Sequence, residues 1–172
     1  MKNPVKFLSW KNALLNLTLT YDEETDSIEF LHEGLTFVVP LEGDDAQFGI
    51  LVLPNIWPLH DDRMRSIACQ VASQVNSEVK VAKVFVNPDG QNVSVACEFF
   101  LPSLDMVAGI VHRLLEASIF ARHHFGDSMQ IVLNRMQAAV AAAEARGAPP
   151  PPGPAPLAII WPFGKNDPKK PN

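Results

Sequence analysis

The sequence predicts an α+β fold in which helices alternate with groups of antiparallel strands. Three observations predict it: a helix start at Asn3-Pro4, strand-length apolar runs with a two-residue period after residue 26, and two longer segments with a helical apolar period. The predicted order is one helix, a three-strand antiparallel meander, a second helix, a β-hairpin and a long C-terminal helix that is broken near its middle. At 172 residues the chain can form one domain with its own hydrophobic core.

The first helix and the meander are predicted in the first third of the chain. Asn3 is a favoured N-cap residue and Pro4 suits the first helical turn, and apolar side chains follow at helical spacing. An acidic turn over 21–26 separates this helix from the strands. The glycine of Glu33-Gly34 can take the positive φ that a tight reversal needs. The strands of the meander are predicted at 27–32, 35–41 and 48–53, and the third is apolar on both faces, as a central or interface strand would be.

The middle of the chain is predicted to form a helix and a hairpin. Pro54 and Pro58 are expected to end the sheet, because proline cannot donate to a strand ladder. Asp61 and Asp62 fall in the first turn of the next helix, where the helix dipole favours acidic groups. Asn87-Pro88-Asp89-Gly90 is the strongest hairpin signal in the sequence. The helix is predicted at 59–77 and the strands of the hairpin at 79–86 and 92–100.

The last helical region is predicted to start at Ser103 and to break at Gly126. Glycine is the common residue just past a helix end, and Gly126 follows a long apolar stripe. Asp127 and Gln130 then have the spacing of a capping box, which starts a new helix. An alanine-rich segment extends this second helix to Gly147.

The carboxyl-terminal segment differs in composition from the rest of the chain. Residues 1–147 are predicted to form the folded domain, 148–156 a proline-rich linker and 157–172 an apolar tail. The tail is expected either to dock reversibly on an apolar groove or sheet edge of its own or a sister subunit, or to serve an external partner. Its apolar residues are Leu157, Ile159, Ile160, Trp161 and Phe163.

The charge distribution disfavours nucleic acid as a partner. The net charge is −5, and between Lys11 and Arg63 every charged residue other than histidine is acidic. Nucleic-acid-binding proteins use Lys and Arg to neutralise the phosphates of the DNA or RNA backbone, so this acidic region would repel DNA or RNA. It is either a solvated acidic face or a docking surface for basic peptides.

The cysteines and the hydropathy predict a reduced, cytoplasmic protein. Cys69 and Cys97 lie among apolar neighbours and are expected to be buried free thiols. No segment has the roughly 18 uninterrupted apolar residues that a membrane span requires, and the first 17 residues do not form an apolar leader.

No catalytic, cofactor-binding or metal-binding motif is recognised in the sequence. His123 and His124 are consecutive, so on a helix they point about 100° apart and cannot share one ion without distortion. His112 lies beside an apolar stripe and is the other histidine considered for catalysis. The chain is therefore expected not to be an enzyme and to need no cofactor, with an uncharacterised hydrolase as the remaining alternative.

The order of the predicted elements, over about residues 5–125, resembles the YbjN-like family, whose fold is that of the type III secretion chaperones. The resemblance lies in 21–40, with its turn Glu33-Gly34-Leu35-Thr36-Phe37, in 50–58, in the hairpin turn at 87–90 and in 99–104. It implies a homodimeric α+β domain without enzymatic activity, which holds extended peptide segments of a client or regulates through partner binding. The helix after Gly126 and the proline-rich tail depart from the family pattern.

The expected function is therefore that of a chaperone-like or regulatory module that binds a protein or peptide partner. The alternative is an assembly subunit recognised through its C-terminal helix and tail. The candidate partner-binding residues in the third strand are Phe48, Ile50 and Val52, and those in the tail are the five apolar residues between Leu157 and Phe163.

Overall fold

The computed structural model describes residues 3–41 and 47–146. Its α+β fold agrees with the prediction: a six-stranded antiparallel sheet with three helices, the last of them long. The helices are α1 Pro4–Ala13, α2 Asp62–Glu78 and α3 Val107–Glu144, the last preceded by a 3-10 turn at Leu104–Met106. The strands are β1 Leu19–Asp22, β2 Ser27–His32, β3 Leu35–Pro40, β4 Phe48–Pro58, β5 Ala82–Val86 and β6 Asn92–Phe100.

The sheet has the strand order β1-β2-β3-β4-β6-β5. The two-residue turn between β2 and β3 has φ values of 51° at Glu33 and 75° at Gly34, which is the left-handed geometry favoured in tight hairpins. Asn3 accepts a hydrogen bond from the Lys6 amide at 3.0 Å, which confirms it as the N-cap of α1. Gly90, with φ of 69°, confirms the predicted turn between β5 and β6.

One face of the sheet carries the helices and the hydrophobic core. Trp10 of α1 packs on Phe99 with ring centroids 6.0 Å apart, and Ser118 of α3 lies 3.3 Å from the Cys97 sulfur. Strand residues alternate between the two faces of a sheet, so the residues in register with Cys97 share its face. The buried strand residues on this face are Ile28, Phe30, Phe37, Val39, Leu51, Leu53, Ala82, Val84, Val93, Val95 and Cys97.

The edge strand β1 was not predicted from the sequence, which placed an acidic turn over 21–26. Leu19 and Tyr21 alternate with polar residues, and β1 pairs with β2 along its whole length. The turn that follows is closed by the Tyr21 hydroxyl, which donates to the Asp26 carboxylate at 2.5 Å. Asp22 accepts from the Glu24 amide at 2.9 Å. The acidic residues therefore form the reversal between two strands and do not separate the helix from the sheet.

The prediction that Pro54 ends the sheet is wrong, because β4 continues through it and ends at Pro58. A bulge makes this possible: the pairing with β6 shifts register between Leu53 and Trp57, so the strand leaves and rejoins its ladder around Pro54. At the centre of the bulge Asn55 has φ of 55°, and its amide donates to the Ser94 hydroxyl at 3.2 Å.

The second helix starts later than predicted, and β5 is shorter. Asp61 is the N-cap and not a first-turn residue, since its carboxylate accepts from the Met64 amide at 2.6 Å.

The expectation of a buried Cys69 is also wrong. Cys69 is exposed, because the buried stripe of α2 runs along the neighbouring face. The residues of that stripe are Ile67, Ala68, Val71, Ala72 and Val75.

The predicted break in the last helix is wrong, because α3 runs continuously through Gly126. Phe125 and Met129, one on either side, are fully buried, and Phe125 packs edge-on against Trp57 at 6.2 Å between ring centroids. Burying such side chains contributes roughly 1.5–3 kcal/mol each. A glycine inside a helix costs only about 1 kcal/mol, so the packing decides the outcome.

The capping interactions predicted around α3 are absent from it. The Gln130 side chain donates to Asn134 at 2.9 Å, one turn further along, and does not reach back to Asp127. At the start, Met106 occupies the N-cap position without a side-chain hydrogen bond. Ser103 instead precedes the 3-10 turn, and its carbonyl accepts from the Met106 amide at 3.3 Å.

Candidate functional site

The face of the sheet opposite the helices is the candidate binding surface. No helix within 3–41 or 47–146 packs on it, and apolar side chains from three adjacent strands meet there. The cross-strand pairs Phe48↔Phe100, Val52↔Ala96 and Val38↔Val52 place these side chains side by side. We call this surface the open face, and it consists of Val38, Phe48, Ile50, Val52, Ala96 and Phe100.

The structure brings the predicted residues Phe48, Ile50 and Val52 together on this surface, where all three are half-buried. Phe48 packs on Phe100 with ring centroids 5.0 Å apart. Phe100, the last residue of β6, is 72% exposed, which is unusual for so large an apolar side chain. The open face therefore presents a continuous apolar strip with an aromatic pair at one end.

Sequence reasoning missed Val38, Ala96 and Phe100 as members of this surface. The alternation in β6 that turns Val95, Cys97 and Phe99 towards the core sends Ala96 and Phe100 to the other face. Val38 could not be assigned to the surface without the register that pairs it with Val52. The signal was present in each strand, but the strands had to be aligned before the patch could be seen.

Three charged residues border the apolar strip along β4, and we call them its rim. By register, Glu29 lies beside Val38, Lys83 beside Ala96, and Glu98 beside Ile50, between Ala96 and Phe100 on β6. Two carboxylates and one ammonium group give this rim a net negative charge. An apolar segment with basic side chains would thus match both the strip and its rim, whereas an acidic segment would be repelled.

The β5 edge of the sheet is closed to further strands by Asn76 of α2. The Asn76 side chain accepts from the Val84 amide at 2.7 Å and donates to the Val84 carbonyl at 2.9 Å. These two backbone groups point away from β6 and are those that an added strand would use. A peptide can therefore not extend the sheet at Val84.

A cavity of about 490 Å³ lies between the β2–β3 turn and α3. Its lining includes the predicted His112 and His123 together with His32, Glu33 and Glu116. His112 and His123 are three helical turns apart, roughly 16 Å along the axis, so they cannot bind one ion together. No group of three ligand side chains in the described part of the chain is placed to hold a metal ion.

His124 points away from His123 and has a different partner. Its Nε2 lies 2.5 Å from the carboxylate of Glu78 at the end of α2, and its ring stacks on Phe120 at 6.0 Å. The hydrogen bond from His124 lowers the pKa of Glu78. This pair ties α2 to α3, which is a structural role.

Of the two cysteines, only Cys97 lies in the core. Its sulfur is 3.3 Å from the Ser118 hydroxyl and 3.7 Å from the Leu114 carbonyl. Burial raises the pKa of the Cys97 thiol, which keeps it protonated and unreactive.

The predicted linker at 148–156 and the predicted tail lie outside the described residues. This applies to the candidate partner-binding residues Leu157, Ile159, Ile160, Trp161 and Phe163.

None of the helices within 3–41 and 47–146 has both the length and the apolarity to span a bilayer.

No family model matches the chain. No curated protein sequence matches it either. Among solved structures, the crystal structure of YbjN, a candidate transcription regulator from E. coli, matches with a TM-score of 0.51. The identity is 12%, and the match covers 67% of this chain and 84% of that one. The chain therefore has a YbjN-like fold.

Proposed function

We propose that this protein is a non-catalytic binding module, chaperone-like or regulatory, which holds an extended apolar segment of a partner protein on its open face. The observation that carries the proposal is the strip of adjacent apolar side chains on that face, which ends in the half-buried Phe48 and the exposed Phe100. Exposed apolar surface of this kind is typical of interaction sites. Burying an aromatic side chain contributes roughly 1.5–3 kcal/mol, so two of them can anchor a segment.

The charges on the rim favour a foreign segment over a second copy of the chain. Two open faces placed against each other would bring four carboxylates, from Glu29 and Glu98 of each copy, to the edges of one interface. A partner segment that carries Lys or Arg would pair with these carboxylates instead. The homodimer implied by the family resemblance stays a prediction, as does a location in the cytoplasm.

A regulatory role of this kind acts through protein partners. The matched structure is described as that of a candidate transcription regulator, and direct DNA contact would need a basic surface. The open face has two acidic neighbours for one basic one.

Site-specific crosslinking in the native cells tests the proposal. A photoreactive benzoyl-phenylalanine is placed at Phe100 on the open face or, as the matched control, at Phe120, which is 61% exposed on α3. We expect one dominant partner to crosslink at Phe100 and not at Phe120, and the product to disappear when Ile50→Asp is added. Thermal unfolding of the Ile50→Asp protein shows whether the domain is still folded, and Phe48→Ser offers a milder second variant.

Two results would contradict the proposal. Equal crosslinking of the same partner from Phe120 would mean that the open face does not select it. Crosslinks only between copies of the chain at Phe100 would assign the open face to self-assembly, as expected for an assembly subunit.

A further inference from the structure

A cavity of about 440 Å³ opens between β3 and β4, where the two strands separate. Val38 pairs with Val52. Two residues further along, the next hydrogen-bonded pair of this ladder would place Thr36 opposite Pro54. Pro54 has no N–H to donate, so the ladder cannot continue there. Beyond it β4 turns towards β6 at Asn55, whose amide bonds to Ser94. We call this opening the strand cleft.

The strand cleft passes through the sheet from the open face towards the helices. By alternation, Thr36 and Val38 project on the open face, whereas Leu53 belongs to the helix side, and all three line the cleft. Arg122 of α3 lines it from the helix layer. The cleft thus has mixed polar and apolar walls, a mouth on the open face and a guanidinium group on its inner side.

Arg122 is a half-buried cation with no partner in the described part of the chain: its side chain makes no hydrogen bond or ion pair there. Glu29 lines the same cavity but does not pair with it. A partly desolvated guanidinium is stabilised by an anion, and its planar fork matches a carboxylate in particular. A ligand that places an anion inside this cavity would supply such a partner.

The backbone of β3 adds donors and acceptors to the cleft. In a hairpin with a two-residue turn, the pair that closes the turn, here His32↔Leu35, is hydrogen-bonded. Hydrogen-bonded and non-hydrogen-bonded pairs then alternate, so the next pair, Leu31↔Thr36, is not hydrogen-bonded. The N–H and C=O of Thr36 therefore point away from β2, towards the cleft. A ligand with a carboxylate and a neighbouring amide could bond to Arg122 and to this backbone together.

We propose that the strand cleft binds an apolar carboxylate, with the carboxylate on Arg122 and the apolar group between Leu53 and Ile56. A volume of about 440 Å³ lies in the range of small-ligand sites and has room for one amino-acid residue with its neighbouring amide. Two sources supply this chemistry: the last residue of a peptide that lies on the open face, which rests on the proposed function, and a free N-acyl amino acid, which does not. Glu29 selects against ligands with a second negative charge.

Four probes test the proposal on the full chain: N-acetyl-leucine, the peptide acetyl-Ala-Ala-Ala-Leu, and the carboxamide of each. Binding is followed by NMR titration of the backbone amides. We expect both acids to bind at least tenfold more tightly than their carboxamides, because a charge-assisted pair with Arg122 is lost in the amide. The shifts are expected at Thr36 and Asn55. Arg122→Gln should weaken the acids at least tenfold, and Arg113→Gln, an exposed arginine of α3 outside the cleft, should not.

The comparison between the two acids identifies the source. A peptide that binds tenfold more tightly than N-acetyl-leucine identifies a peptide terminus, and equal affinities identify a free small acid; both results support the carboxylate site. Equal binding of acids and carboxamides, or no saturable shift at Thr36 in the millimolar range, overturns it. An equal loss of affinity for the acids in Arg113→Gln and Arg122→Gln also overturns the carboxylate site. An open face that fails to crosslink a partner contradicts the proposed function and leaves the N-acetyl-leucine result valid.

Discussion

Replacing Gly126 by alanine tests whether α3 is continuous. Gly126 lies in the middle of the helix, and a Cβ atom built there would meet the Trp57 ring at 3.9 Å, an ordinary van der Waals contact. In a continuous helix, alanine is favoured over glycine by about 1 kcal/mol. In a broken helix with Gly126 in the left-handed conformation after the break, alanine would instead cost roughly 1–2 kcal/mol. The two structures thus predict effects of opposite sign.

We expect Gly126→Ala to raise the free energy of unfolding by about 1 kcal/mol, which is roughly 2–4 °C in Tm for a domain of this size. Thermal and urea unfolding measure it. Gly109→Ala, with open space around the new Cβ, is the matched helical control and should also stabilise. Gly90→Ala should destabilise, because φ is 69° and the Cβ would meet Arg65 at 2.7 Å. A Gly126→Ala protein less stable than the parent, with both controls as expected, would refute the continuous helix.

Two further predictions concern ionisable side chains. At neutral pH, Cys69 should react quickly with a thiol reagent and Cys97 only after unfolding, since the first is exposed and burial raises the pKa of the second; a fast reaction that survives Cys69→Ser would contradict this. The hydrogen bond to Asp26 raises the pKa of Tyr21 from 10.0 to about 12, so the stabilisation is fully present below pH 10.0 and is lost as the pH rises through about 12. Tyr21→Phe should flatten the fall in stability over that range, and an unchanged slope would show that Tyr21 is not its cause.

The sequence predicted most elements of the fold because their signals are local. Asn3-Pro4 and the turn at Gly90 place a helix start and a hairpin through the conformations of a few residues. The errors concern places where distant contacts prevail over local preference. Gly126 stays helical because Phe125 is held by Trp57, a residue of β4, and Pro54 stays within a strand because a bulge against β6 accommodates it.

The candidate site was predictable only in part for a related reason. The two-faced apolar pattern of β4 predicted a surface at Phe48, Ile50 and Val52, and the structure places these side chains together. The neighbours that make the surface continuous depend on strand order, which no single strand encodes. The strand cleft depends on β2, β3, β4 and α3, which meet only in the folded chain, so nothing near Arg122 in the sequence marks it.

The hydrogen bonds of Asn76 bear on how this protein behaves at high concentration. A sheet with a free edge can join the edge of another molecule, and repeated joining leads to fibrils. At β5 the Asn76 amide occupies both backbone groups of Val84, and the exposed Lys83 next to it adds a charge that would be buried by such a contact. Edge-to-edge growth is therefore opposed on this side of the sheet, so a protein with an exposed apolar face can keep that face available without polymerising through its neighbouring edge.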